Sequence, residues 1–178
     1  HIIDLLDWYP RQLSKLGVKV RLNAFLDVDE IMEFVAEKTV IATGSYSSDT
    51  GFQKAIPHVH KLLGIELGGV FSAEDVMAPR ARPGKRVLVL DEGGNWKGCG
   101  TAWKLAEDGH EVTLVTPDPL VGKELQRTNA DYPLRKRLAK LGVNFILESA
   151  VTSWNKEGAE VLCFLDGKTQ FIESDTLV

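Results

Sequence analysis

The sequence predicts an α/β fold: a parallel sheet carrying helices, followed by an antiparallel β-meander. Three observations point to it. The apolar run at residues 87–90 leads into a glycine-bearing turn, a helix stopped by Gly109 and a second apolar run at 112–115. Strand, turn, helix and strand within about thirty residues are the front half of a βαβ unit. A second helix follows, from Pro133 at its first position to Leu141, with Gly142 as its stop and a third apolar run at 143–147; proline early and glycine late is the usual helix asymmetry. The segments 151–154, 161–165 and 169–172 then alternate, with hairpin signals at 155–158 and at Asp166-Gly167, which gives the meander.

The earlier residues read in order as follows. Leu5, Leu6, Trp8, Tyr9, Leu13 and Leu16 recur at helical spacing, ended by Gly17. Pro10 inside that pattern implies a helix start near Tyr9 or a kink. Residues 18–22 alternate and predict a strand. Residues 27–35 predict a short helix with Asp27 or Asp29 as N-cap. Residues 38–43 predict a short buried strand running into Gly44. Residues 45–85 show so little periodicity that they read as a crossover between two lobes. Within them, Ser72 and Asp75 resemble a capping box. The second lobe begins from Lys85.

Composition narrows the function classes. The 178 residues are 44% hydrophobic and 26% charged, with a net charge of −4, which is globular and carries no nucleic-acid footprint. The short basic clusters Arg80/Arg82/Lys85/Arg86 and Arg135/Lys136/Arg137/Lys140 read as solvated faces. Cys99 and Cys163 form no CxxC pair, so neither a disulfide framework nor a zinc site is expected, and a reducing, cytoplasmic setting fits. No apolar run approaches the ~20 residues of a membrane helix. The first residue is not Met and the last ones lie in an apolar run, so a piece of a longer polypeptide is expected.

The glycine turn after Leu90 is where chemistry would be placed. In a working Rossmann-like dinucleotide site the first glycine permits a tight turn. The second lets the backbone approach a diphosphate, and the third lets the helix pack on the strand. The best register here takes Gly93 as first, Asn95 in place of the second and Gly98 as third, with Gly94 also in the turn. Three departures oppose ordinary NAD(P) binding. Asn95 carries a side chain where phosphate comes closest. Asp91 and Glu92 put negative charge beside a would-be diphosphate. The second strand ends in Val115-Thr116-Pro117, with no acid for ribose hydroxyls and no arginine for a 2′-phosphate. The residues therefore favour a structural βαβ unit over a working dinucleotide site.

Other candidates are weaker. Ala42-Thr43-Gly44 would end a strand, where ligands of open α/β sheets bind. Cys99 at the helix N-terminus reads as a small packed residue rather than a reactive thiol. His58 and His60 lack further metal ligands around them. His110 reads as solvent-facing. Trp96 is the large aromatic of the turn, placed to stack on an adenine or to block the cleft. No catalytic constellation is present.

These stretches together — Ala42-Thr43-Gly44, the crossover from Gly69 to Val76, and the turn Asp91 to Gly98 with Val115-Thr116-Pro117 — resemble one family. It is that of the fused old-yellow-enzyme-type flavoproteins: trimethylamine, dimethylamine and histamine dehydrogenases, N-methylproline demethylase and 2,4-dienoyl-CoA reductase. The acid-containing turn, Gly122 and Thr128-Asn129 are more similar to the amine branch. The resemblance implies a disulfide-reductase-type fold. It assigns residues 1–78 to a partial FAD/ADP-binding-like lobe, 83–172 to an NAD(P)-binding-like insert and 173–178 to the start of the return. It implies cofactor contacts at Ala42, Thr43, Gly44, Gly93, Gly94, Asn95 and Gly98, with ADP, FAD or NAD(P) as the candidates, and no metal. FMN and a four-iron cluster would lie in an N-terminal barrel outside this chain. Implied partners are that barrel, an acceptor such as electron-transfer flavoprotein, and further copies in a homo-oligomer. No catalysis is expected in this piece. An NAD(P)H/FAD electron-input domain of enoyl-reductase type and a non-catalytic nucleotide-sensing module are the alternatives.

Overall fold

The computed structural model describes residues 2–178, with the side chains of Ile2 and Ile3 left aside. The described residues fall into two compact units, one ending at Gly44 and the other Ser45–Val178.

In the first unit, helix α1 (Ile2–Lys15) runs through Pro10 rather than starting or breaking there. It ends where Gly17 adopts φ +70°. The N–H of Val18 donates to the Leu13 carbonyl at 2.9 Å and that of Gly17 to Ser14 at 3.1 Å, so the last carbonyls are satisfied by a left-handed glycine cap. Helix α2 (Val28–Met32) is held by a complete capping box between Asp27 and Glu30. The strands expected at 18–22 and 38–43 do not form. Neither segment pairs with a strand among the described residues, and Val20, Leu22, Val40 and Ile41 are exposed. Alternation prepares a strand, but the backbone groups of one need a second strand to pair with.

The second unit has three layers. Its central sheet is parallel, in the order β3-β2-β1-β7, from β1 (Arg86–Leu90), β2 (Glu111–Val115), β3 (Asn144–Ile146) and β7 (Thr176–Leu177). Helices α4 (Trp96–Glu107) and α5 (Asp131–Lys140) cover one face. Helix α5 starts two residues before Pro133, so the proline is its third residue, still within the first turn where its missing N–H is harmless. An antiparallel meander, β4 (Ser149–Asn155), β5 (Gly158–Cys163) and β6 (Thr169–Glu173), covers the other face.

Strand alternation divides the core in two. Val87 and Val89 point with Leu105, Leu114, Leu134 and Leu138 into the helical layer. Leu88, Val115 and Leu177 point with Val151, Trp154 and Val161 into the meander layer. The last residues of the chain thus add a fourth strand beside β1, and Phe71 and Leu177 tie residues 69–71 to it.

Residues 45–82 pack within this unit. Helix α3 (Ala73–Met77) carries the capping box expected of Ser72 and Asp75. Gln53, 1% exposed, donates to the Val151 carbonyl at 2.6 Å and accepts its N–H at 3.1 Å. A glutamine side chain thereby acts as one more peptide on the edge of β4. Trp154 donates its indole N–H to Gly68 at 2.8 Å. No helix among the described residues is long and apolar enough to cross a membrane.

Candidate functional site

The candidate site is the turn joining β1 to α4. Asp91 extends β1 by one ladder bond, its N–H donating to Val115 at 2.8 Å. Its side chain is 2% exposed. Oδ1 accepts the N–H groups of Gly93 (3.1 Å) and Gly94 (3.0 Å), and Oδ2 accepts the Cys99 thiol at 3.3 Å. Burial raises the Asp91 carboxyl above its ordinary range, against these donors. Burial, with the Asp91 carboxylate, pushes the Cys99 thiol above the usual thiol range, so this helix N-terminus does not make a thiolate.

Each predicted residue of the turn has a defined role. Gly98 faces Asp91 so closely that a Cβ there would overlap the carboxylate. The third glycine therefore makes room for an acid rather than only for the strand. Asn95 is the N-cap of α4, its Oδ1 accepting the Lys97 N–H at 2.8 Å. Gly93 lies against the Asn95 side chain, where an added Cβ would stand 2.9 Å from Nδ2. Gly94 is buried with φ +55°. Its carbonyl accepts the Glu124 N–H at 2.9 Å, and an added Cβ would meet Asp118 Oδ2 at 3.0 Å and Lys123 N at 3.4 Å. A 3-10 turn (Lys123–Thr128) with the Lys123–Asp118 ion pair at 2.7 Å therefore sits directly on the glycine turn.

Glu92 points the other way. Its carboxylate accepts the backbone N–H groups of Lys54 (2.6 Å) and Ala55 (3.0 Å). Beside it lies an open cavity of ≈ 850 Å³ at the carboxyl ends of β1 and β7. Gly93, Asn95, Gly98, Lys97 and Glu74 are among its lining. Lys97 pairs with Glu74 at 2.6 Å, and Ser47 bonds to both. The hydrogen bond from Lys97 is the largest of the effects that hold Glu74 down at about 2.

The remaining candidates are dispersed. Ala42, Thr43 and Gly44 belong to the first unit, are exposed and end no strand. His58 and His60 are exposed. His110 does not face solvent freely: it is half-buried, and Nδ1 lies 2.7 Å from the Gly84 carbonyl, which holds the ring against the start of β1. Trp96 is 52% exposed. No group of three or more His, Cys, Asp or Glu among the described residues is arranged to hold a metal. Sequence reasoning missed Gln53, Lys97 and Glu74. A lone glutamine in an aperiodic loop has no local signature, whereas Lys97 at the second position of α4 could have been singled out as the cation of the turn.

At this turn the residues depart from the dinucleotide pattern. The amides of Gly93, Gly94 and Lys97 have internal acceptors, Gly94 is covered, and buried Thr116 replaces the acid that would hold ribose. The architecture, however, is that of a nucleotide-binding domain, and residues 19–178 match the family described as pyridine nucleotide-disulphide oxidoreductase. The chain belongs to that family.

Within it, the chain is 31% identical over 162 residues to "Probable N-methylproline demethylase" of Rhizobium meliloti (strain 1021), covering 90% of this chain and 22% of that protein. It is 36% identical over 111 residues to "Cinnamate reductase" of Clostridium sporogenes, covering 62% of this chain and 15% of that protein. The structure of histamine dehydrogenase from Rhizobium sp. 4-9 superposes with a TM-score of 0.80 at 26% identity, covering 92% of this chain and 26% of that one. The chain thus spans a quarter or less of the length of the curated relatives it matches. It is related to the amine dehydrogenase and demethylase flavoproteins, as the resemblance implied.

Proposed function

We propose that this chain is the nucleotide-domain part of an FMN- and iron–sulfur-dependent oxidoreductase of amine dehydrogenase or demethylase type. In it the βαβ unit serves as scaffold, and catalysis lies outside the chain. The observation that carries this reading is the closed turn: the Glu124 N–H is seated on the Gly94 carbonyl, and three turn amides are bonded from within. A diphosphate at this turn would have to displace those bonds and then bring its charge beside Asp91 and Glu92. The match to the demethylase over 90% of the chain supports the amine-oxidising branch. In the same reading the first unit belongs to an ADP- or FAD-binding lobe, the electron acceptor is a partner such as electron-transfer flavoprotein, and the intact enzyme is an oligomer in the cytoplasm.

The 36% match to cinnamate reductase favours a second reading, in which the unit delivers electrons from NAD(P)H to an enoate-reducing centre. Titration of NADH, NADPH and ADP against the chain separates the two. The scaffold reading expects no saturable NADH or NADPH binding at micromolar ligand. Micromolar binding of either, weakened by Gly98→Trp, overturns it in favour of electron input.

A further inference from the structure

We propose that Asp91 sets the ligand specificity of this turn by acting as its built-in anion: the carboxylate occupies, from within, amides that an external oxyanion would otherwise take. The inference rests on the closed-site reading above and names the residue that keeps the amides engaged. Two successive backbone N–H groups, of Gly93 and Gly94, converge on one oxygen at 3.1 and 3.0 Å. Convergent successive amides form a concave nest that binds anions, and the start of a 12-residue helix stands behind it. The oxygen in this nest belongs to the chain. Its carboxylate is fixed on the far side by the Cys99 thiol at 3.3 Å, and Gly98 leaves the space it needs. A tethered ligand competes at an effective concentration that free millimolar phosphate does not match.

Occupancy and simple charge repulsion make opposite predictions for Asp91→Asn. The asparagine keeps an oxygen in the nest but carries no charge. Asp91→Ala and Asp91→Gly, which carry no side-chain acceptor, empty the nest. The probe is inorganic pyrophosphate, a diphosphate without a nucleoside. The readout is the ¹⁵N–¹H resonances of Gly93 and Gly94 in the full 178-residue chain. Wild type and Asp91→Asn are expected to show no saturable shift at millimolar pyrophosphate. Asp91→Ala or Asp91→Gly is expected to saturate, at least about tenfold tighter than wild type.

Folded Ala and Gly variants that stay silent overturn the inference. So does Asp91→Asn binding as tightly as Asp91→Ala, which assigns the block to charge. If neither emptied variant folds, amide exchange of Gly93 and Gly94 in wild type decides. Slow exchange supports the built-in anion, and exchange at open-loop rates overturns it. Micromolar NADH binding by the wild type overturns the closed-site reading itself, a result distinct from either.

Discussion

Replacing Gln53 tests how the aperiodic segment before α3 is held. In a strand the N–H and C=O of one residue point to the same side. Val151 turns both toward Gln53, which meets them at 3.1 and 2.6 Å in a fully buried position. Gln53→Ala removes both partners and leaves a buried donor and a buried acceptor. Each unsatisfied group costs about 1–3 kcal/mol. Allowing for water entering the space left behind, the expected loss is about 2–4 kcal/mol. For a chain of this size that lowers the melting temperature by roughly 4–16 °C. Urea unfolding followed by far-UV circular dichroism reads the loss directly. Gln53→Glu sharpens the test. At neutral pH its carboxylate has no N–H to give the Val151 carbonyl, so burial raises its folded-state pKa. Such a group is more stable protonated. Its deficit should therefore be largest at neutral pH and shrink as pH falls through the folded-state value. A Gln53→Ala loss below about 1 kcal/mol, or a Gln53→Glu deficit flat with pH, refutes the reasoning.

Two further perturbations follow from the same packing. Gly64 has φ +84°, and an added Cβ would overlap the Trp154 carbonyl, whereas Gly17, at φ +70°, faces open space. Gly64→Ala should cost about 3 kcal/mol or more and Gly17→Ala only about 1 kcal/mol; equal losses in denaturant titrations would show that the backbone conformation alone matters. Burial raises the Asp91 carboxyl in the folded state. Its contribution is thus full below the unfolded carboxyl value near 3.8 and is lost as pH rises through the higher folded value. Asp91→Asn has no such loss, so its stability relative to wild type should increase with pH across that window in paired denaturation curves; a constant difference would contradict the burial effect.

Much of the sheet was legible because burial on both faces demands continuous apolar runs, as at Val87-Leu88-Val89 and Val112 to Val115. The helix stops were legible because Gly109 and Gly142 take φ +94° and +78°, which other residues resist. Strand β7 was not: two residues, Thr176 and Leu177, carry no periodicity, and only pairing with β1 makes them a strand. The reverse holds at 18–22 and 38–43. Alternation is present there, but no partner is, and the local signal cannot supply one. Residues 45–63 looked unstructured because their order comes from side-chain-to-backbone bonds of Gln53 and Glu92, formed across long stretches of sequence.

The turn shows where sequence reading stops at charge and structure adds direction. Asp91 and Glu92 are adjacent acids, and as a pair they read as repulsion of a diphosphate. Folding sends them apart. Asp91 turns inward to the Gly93 and Gly94 amides, and Glu92 turns outward to Lys54 and Ala55. Both therefore act as acceptors that hold backbone in place, one for the turn and one for the segment beside the cavity. This also explains why Gly98 remains glycine while Asn95 departs from the dinucleotide pattern. The first is required by the Asp91 carboxylate, and the second supplies the N-cap of α4. The departures from the fingerprint are mutually consistent: Asp91 and Asn95 supply oxygens that accept the turn's own amides, and Gly98 leaves the space that one of them needs.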